Sequence, residues 1–401
     1  MKIVITKSKI VLRDVLFFLL YFPRFKPLCI EYMPNLKSID WLYSLLMIIS
    51  GVLIGIMYFK MMIGKKMINE HLKFISSVII YFSCFIFSSF INNQINIVRT
   101  IGTFFSIISF VMLIQVTCLN LEIRIFEIIS HYLQLLIILN ILIHVWKPHG
   151  LAQSTYYGNY IHFLANRNGL ILIYMVAFAF MVTDYYLKEG SLTFRKKIWI
   201  AMIGITIIPF KSGTATLCMV GLILFLFFDK FQKWFTYIKV WSLYFGMTIV
   251  IVFMQITRYF KPIFDMVGKD TDLTGRIVIW KSVIETITAS TRNIFWGCGA
   301  NTSVKFLYMG TWYSSHNMIL ELMLRGGTGA LLAYMFVIIC CKKRNSKYMQ
   351  NKYNYYLNII LFFSLCASMT ETPVFSPYIF VIMTFINMAD VIILIEKARN
   401  R

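Results

Sequence analysis

The chain of 401 residues is 59% hydrophobic and only 14% charged. Its mean hydropathy of +0.72 excludes a soluble enzyme, a disordered chain or a disulfide scaffold and marks a membrane protein. The formal net charge of +22 comes from 39 Lys and Arg against 17 Asp and Glu. These bases punctuate apolar runs, so they read as topology signals and give no reason to expect a nucleic-acid partner. The basic stretch Lys2, Lys7, Lys9 and Arg13 precedes an apolar run without a small-residue cleavage site, so a retained first span is expected over 10–22. Runs near the roughly 20 residues needed to cross about 30 Å of hydrocarbon follow at 41–59, 74–91 and 100–119, with a weaker one at 128–146. Next come a strong segment at 169–187, two weak ones at 198–210 and 214–229, and strong ones at 237–256 and 317–341. A weak segment at 356–369 and a strong one at 378–395 complete an all-α polytopic protein of about 12 transmembrane helices, a single integral membrane domain over 1–401.

Lysine and arginine in alternate connections set the orientation. With the N-terminus inside, the inner connections hold Lys60, Lys65, Lys66 and Lys73, then Lys188 and Arg195 to Lys197, then Lys230, Lys233 and Lys239, and finally Lys342, Lys343 and Arg344. The C-terminus with Lys397 and Arg399 is then also inside, and only the 120–130 connection, with Glu122, Arg124 and Glu127, gives no clear sign. Six of the eight cysteines fall in or at the ends of apolar spans, leaving Cys29 and Cys298 in candidate loops. With no CxxC pair and no Cys/His ligand spacing, they read as structural thiols, and no metal or cofactor is expected.

The long connection 257–316 departs from this pattern. It is expected outside, yet it carries Arg258, Lys261, Lys269, Arg276, Lys281, Arg292 and Lys305 against four acids, and such an excess on the outer face suits an anionic ligand. Within it Ile277, Trp280, Val283, Ile284 and Ile287 recur at helical spacing, which predicts a short amphipathic helix at the membrane surface capped by Asp272 or Thr274. A glycine-bearing turn Gly297-Cys298-Gly299 follows, then Tyr308, Trp312 and Tyr313, and the loop ends at Ser315-His316-Asn317. Arginine suits phosphate because its planar fork donates paired hydrogen bonds and keeps its charge. Histidine suits proton transfer because its ordinary pKa is near neutrality.

Taken in order, Arg276, Trp280, Gly297 and Gly299, His316-Asn317 and Gly326-Gly327-Thr328-Gly329 resemble the O-antigen ligase/polymerase superfamily of bacterial envelopes. Asn166-Arg167-Asn168-Gly169 and Lys211-Ser212-Gly213-Thr214 are two further similar patches, the second departing from the Ser-Arg common in relatives by placing its base at Lys211. The resemblance covers roughly residues 150–335. It implies a GT-C-like helical bundle in the bacterial plasma membrane and a metal-independent, inverting glycosyl transfer from an undecaprenyl-pyrophosphate-linked glycan at the outer face. On that reading Arg276 holds the pyrophosphate and His316 orients or deprotonates the acceptor hydroxyl. Arg292, Arg258, Arg167, Arg325, Lys211, Asn317 and Trp280 are expected at the substrate, and Glu321 is expected to partner His316 or Arg325.

The leading expectation is therefore a polymerase of capsule, exopolysaccharide or O-antigen repeat units. Its partners would be the lipid-linked donor and acceptor, membrane lipids, a flippase and a chain-length regulator. A ligase that moves a finished glycan to another acceptor is the alternative. A lipid-linked glycan flippase is a third reading, which would place its polar residues at mid-membrane.

Overall fold

The computed structural model describes residues 7–64, 69–94, 96–153, 160–253, 276–302, 304–305, 312–345 and 351–399. The described chain is almost wholly helical, with two two-stranded antiparallel ribbons. The helices are α1 (Lys7–Tyr21), α2 (Cys29–Tyr32), α3 (Lys37–Ile63), α4 (Asn69–Ile91), α5 (Ile97–Leu119), α6 (Ile123–Trp146), α7 (Leu170–Glu189), α8 (Phe194–Ile205), α9 (Gly213–Phe227) and α10 (Tyr237–Thr248). They continue with α11 (Arg276–Thr288), α12 (Thr291–Trp296), α13 (Met318–Asn345), α14 (Lys352–Ser368), α15 (Tyr378–Asn387) and α16 (Ala389–Arg399). One ribbon pairs β1 (Ala152–Gln153) with β2 (Tyr160–Ile161), and the other pairs β3 (Val304–Lys305) with β4 (Trp312–Tyr313).

Among the described residues, each expected apolar segment is mostly helical, because a chain with no water beside it can satisfy its amides and carbonyls only internally. Among the described residues, six helices (α3 with its leading turn, α4, α5, α6, α7 and the first part of α13) are long and apolar enough to cross a membrane, and α15 with α16 makes a seventh if that bent pair is one span. The pair bends by 53°, so the apolar run 378–395 is not one straight helix. Within the segment at 237–256, α10 passes into a π turn at Ile249–Phe253, and 254–256 lie outside the described residues.

The weak segment at 128–146 is instead a 24-residue helix that starts at Ile123. Its charged start is tolerated because Glu122, Arg124 and Glu127 are paired with Arg13, Asp14 and Lys188 at 2.8, 3.2 and 3.0 Å.

Burial ranks the helices. The most apolar window of α7 is 94% buried whereas that of α3 is only 22% buried, so α7 is the central post and α3 the rim. Alongside α7 lie α6, α14, α15 and α16, while α4 runs against α13. The outer side of α3 exposes Trp41, Ile48, Val52 and Phe59, a row of large apolar side chains that suits a lipid environment. Several polar side chains inside are paired, as in Tyr58 to Gln115 at 2.9 Å and Asn358 to the Phe235 carbonyl at 3.0 Å. All eight cysteines are free thiols.

Candidate active site

The glycine elements do their work through backbone contact. Ser290 caps α12 by accepting from the Asn293 amide at 3.1 Å, and the helix stops at Gly297, whose φ of +74° favours glycine. A β-carbon on Gly297 would lie 2.6 Å from backbone atoms of Arg325, Gly326 and Gly327, and one on Gly327 (φ +66°) would strike the Phe295 carbonyl. The two glycine elements therefore form one seam, at which α13 kinks. Across it the Cys298 amide donates to the Leu324 carbonyl at 2.7 Å and the Gly299 amide to the Arg325 carbonyl at 3.2 Å. From the end of α4, Asn92 donates to the Gly297 carbonyl at 3.1 Å and Gln94 to the Cys298 carbonyl at 3.1 Å. The turn is thus pinned to two helices.

The mouth of α13 is built by Asn317, which is fully buried and caps the helix by accepting from the Ile319 and Leu320 amides at 3.0 and 3.1 Å. Its amide nitrogen reaches the Met369 carbonyl at 3.4 Å, tying the mouth to the end of α14. His316, just before the cap, has φ +48°, a left-handed conformation uncommon outside glycine. Burial pushes its imidazole down to about 4, Arg276 pushes the same way, and Glu321 together with a bond to the Thr370 backbone opposes them. His316 is therefore a neutral ring beside a guanidinium at physiological pH. Glu321 accepts from the Ser315 amide at 2.7 Å and from Arg325 Nε at 2.5 Å. Arg325 also donates to the Ala300 carbonyl and lies 5.1 Å over the Phe375 ring.

A third strand of chain completes the cluster. After α14 the polar run Thr370-Glu371-Thr372 turns back across the helix ends. Here Glu371 faces Arg276 in an ion pair of 3.5 Å, with both side chains less than a fifth exposed. The pair is loose, and Glu371 Oε1 accepts no well-formed hydrogen bond among the described residues. Burial pushes the Glu371 carboxyl up to about 7, opposed by Arg276, by a hydrogen bond from Asn168 and by the charge of Arg167. Burial also lowers the Arg276 guanidinium from its ordinary value, and the Glu371 charge partly restores it. Asn168 is held in turn by Ser212, whose hydroxyl donates to its Oδ1 at 2.9 Å.

The structure thus brings Arg276, His316, Arg167 and the Asn168–Ser212 pair, from four separate stretches of sequence, around Glu371. Arg325 and Asn317 serve the architecture, as an ion-paired strut and a helix cap. Arg292 points elsewhere, donating to the Ile91 carbonyl from an exposed position. Lys211 is exposed, with φ +55° just before α9. Trp280, expected at the substrate, is 2% exposed and lies in a core with Val252, Leu320 and Leu324, because the apolar face of α11 packs on α13 and not on a membrane surface. Arg258, Asp272, Thr274 and Tyr308 lie outside the described residues.

Glu371 went unnoticed in the sequence because topology reading weighs Lys and Arg. The available signal was an acid in a short polar run between two apolar segments. Among the described residues no group of three or more His, Cys, Asp or Glu is placed to hold a metal ion. Compared with known proteins, the chain matches no family model, no curated protein and no solved structure.

Proposed function

We propose that the chain is a multi-pass glycosyltransferase of the bacterial plasma membrane, with both termini inside, about twelve crossings and the 257–316 connection outside. On this reading it polymerises lipid-linked oligosaccharide repeat units by inverting transfer from an undecaprenyl-pyrophosphate donor. The observation that carries it is the Arg276–Glu371 pair beside His316, a buried base and a guanidinium held loosely at the end of the bundle where α4, α13 and α14 meet their outer turns.

The chemistry follows from those groups. The acceptor hydroxyl forms a bond to the anomeric carbon as the bond from that carbon to the pyrophosphate oxygen breaks, and its proton passes to a base. A carboxyl near pH 7 suits that step better than a ring titrating at about 4. Glu371 is therefore assigned as the base, and neutral His316 orients the hydroxyl. Protonation of Glu371 weakens its hold on Arg276, whose fork then stabilises the charge growing on the departing pyrophosphate. Arg167 adds a second positive charge on the same side.

Purified chain in nanodiscs, given a synthetic undecaprenyl-pyrophosphate repeat unit, should release undecaprenyl pyrophosphate and build a ladder of inverted linkages. No turnover would sink the reading. A single transfer to a different acceptor, with no ladder, would replace the polymerase with a ligase.

A further inference from the structure

Beside the Glu371 centre, with Arg167 on the border of both, lies a cavity of about 370 Å³ between the last turn of α6, strand β2 and the turn before α9. Its size is that of a small-ligand pocket. Arg167 and Lys211 are both exposed at its edge, and neither makes an ion pair among the described residues, nor does any described carboxylate line the cavity. Two like charges are thus held at one opening, and the one carboxylate known to feel Arg167, that of Glu371, lies outside the cavity lining.

The walls are aromatic. His144 and His162 lie 5.1 Å apart, edge to face, and both pack on Phe210 at 4.3 and 4.8 Å. His162 is only 5% exposed, and Nδ1 of each histidine has no hydrogen-bond partner among the described residues. Burial, His144 and Arg167 together push His162 down to about 4, so it lines the cavity as a neutral ring. At the entrance His149 packs on Tyr160 at 5.3 Å, and Tyr160 remains 47% exposed. A bare phosphate has no use for an exposed aromatic face, whereas the C–H face of a sugar ring does. Two fixed cations at the edge, with the neutral His162 ring in the wall, match one acidic substituent.

We propose that this cavity is a saccharide subsite that takes a sugar unit bearing a carboxylate. The ring lies on Tyr160, and the carboxylate lies between Arg167 and Lys211. The inference rests on the glycan-transfer reading and names the class of glycan: an acidic repeat unit, with its acidic sugar next to the residue undergoing transfer.

The test is binding to the full chain in nanodiscs, with glucuronate, glucose and inorganic pyrophosphate as separate probes, read by calorimetry and by saturation transfer to the sugar protons. Glucuronate should bind, with glucose weaker by on the order of tenfold and raised salt weakening glucuronate but not glucose. The double variant Arg167→Gln/Lys211→Asn should lose glucuronate affinity by about tenfold or more, and asparagine tolerates the left-handed backbone at 211. Tyr160→Ala should abolish saturation of the ring protons. These residues are exposed, so the variants leave the core intact. Unchanged glucuronate affinity in the double variant overturns the proposal, as does pyrophosphate binding that the double variant loses while glucuronate never binds. Binding needs no turnover, so a chain that holds glucuronate here but transfers nothing sinks the enzyme reading alone.

Discussion

Replacing Glu371 by Gln should separate activity from stability in opposite directions. The carboxyl lies in the folded chain at about 7 against an ordinary 4.5. At about 1.4 kcal/mol per tenfold change in proton affinity, holding it there costs the folded state about 3 kcal/mol once the group must ionise. Because the folded value lies above the unfolded one, the cost is absent below pH 4.5, grows between 4.5 and 7, and is constant above that. Gln is a neutral stand-in for the protonated acid. Glu371→Gln should therefore melt higher than the parent at pH 8 and at about the same temperature at pH 4.5, in the same detergent. Turnover of lipid-linked substrate should fall about 10²- to 10⁴-fold, the range for a lost general base. In the parent, kcat/KM should rise with pH through about 7, and that limb should vanish in the variant. Parental turnover in Glu371→Gln would show an ordinary buried acid and refute the assignment. A lower melting temperature at pH 8 would show that the Arg276 pair outweighs desolvation and refute the energetics.

Other perturbations address the neighbouring groups. Arg276→Lys keeps the charge but loses the paired donors, so kcat should drop about a hundredfold, or about 3 kcal/mol, and undiminished turnover would remove Arg276 from the transition state. His316→Ala should still bind the lipid-linked donor yet fail to extend it; cells carrying it should show single repeat units in place of a ladder, and wild-type glycan length would reduce His316 to a helix-mouth residue. Gly327→Ala forces a β-carbon against the Phe295 carbonyl in a left-handed backbone, so a loss of about 2 to 4 kcal/mol should appear as a lower yield of folded protein, while an unchanged melting curve would show that the seam can relax. Asn301→Cys, exposed on the pinned turn, should react with an impermeant maleimide in intact cells lacking the native thiols, and labelling only after lysis would invert the proposed orientation.

Much of the architecture was legible without coordinates, for a physical reason: hydrocarbon forces each apolar run to become a helix, so positions such as Leu170 to Glu189 and Met318 to Cys341 follow from hydropathy. The amphipathic spacing of Ile277, Trp280, Val283 and Ile287 likewise appeared as a helix with those residues inward. Periodicity shows that a face is apolar but not what covers it, and Trp280 meets Leu320 and Leu324 on α13 where lipid was expected. The turn at Gly297 to Gly299 was expected, whereas the break at Gly327, and the fact that Gly297 and Gly327 are each needed because the other's backbone lies against it, come from a contact between segments thirty residues apart in sequence. The same holds for charge. Arg276 and His316 could be named as site candidates, but a polar side chain's role depends on what surrounds it. Arg325 was committed to Glu321, Asn317 to capping, and Arg276 to an acid nearly a hundred residues away at 371. Proton affinity is set by burial and by neighbouring charges, both properties of the packed chain, and so the carboxyl best matched to neutral pH emerged only once the turn after α14 closed over Arg276.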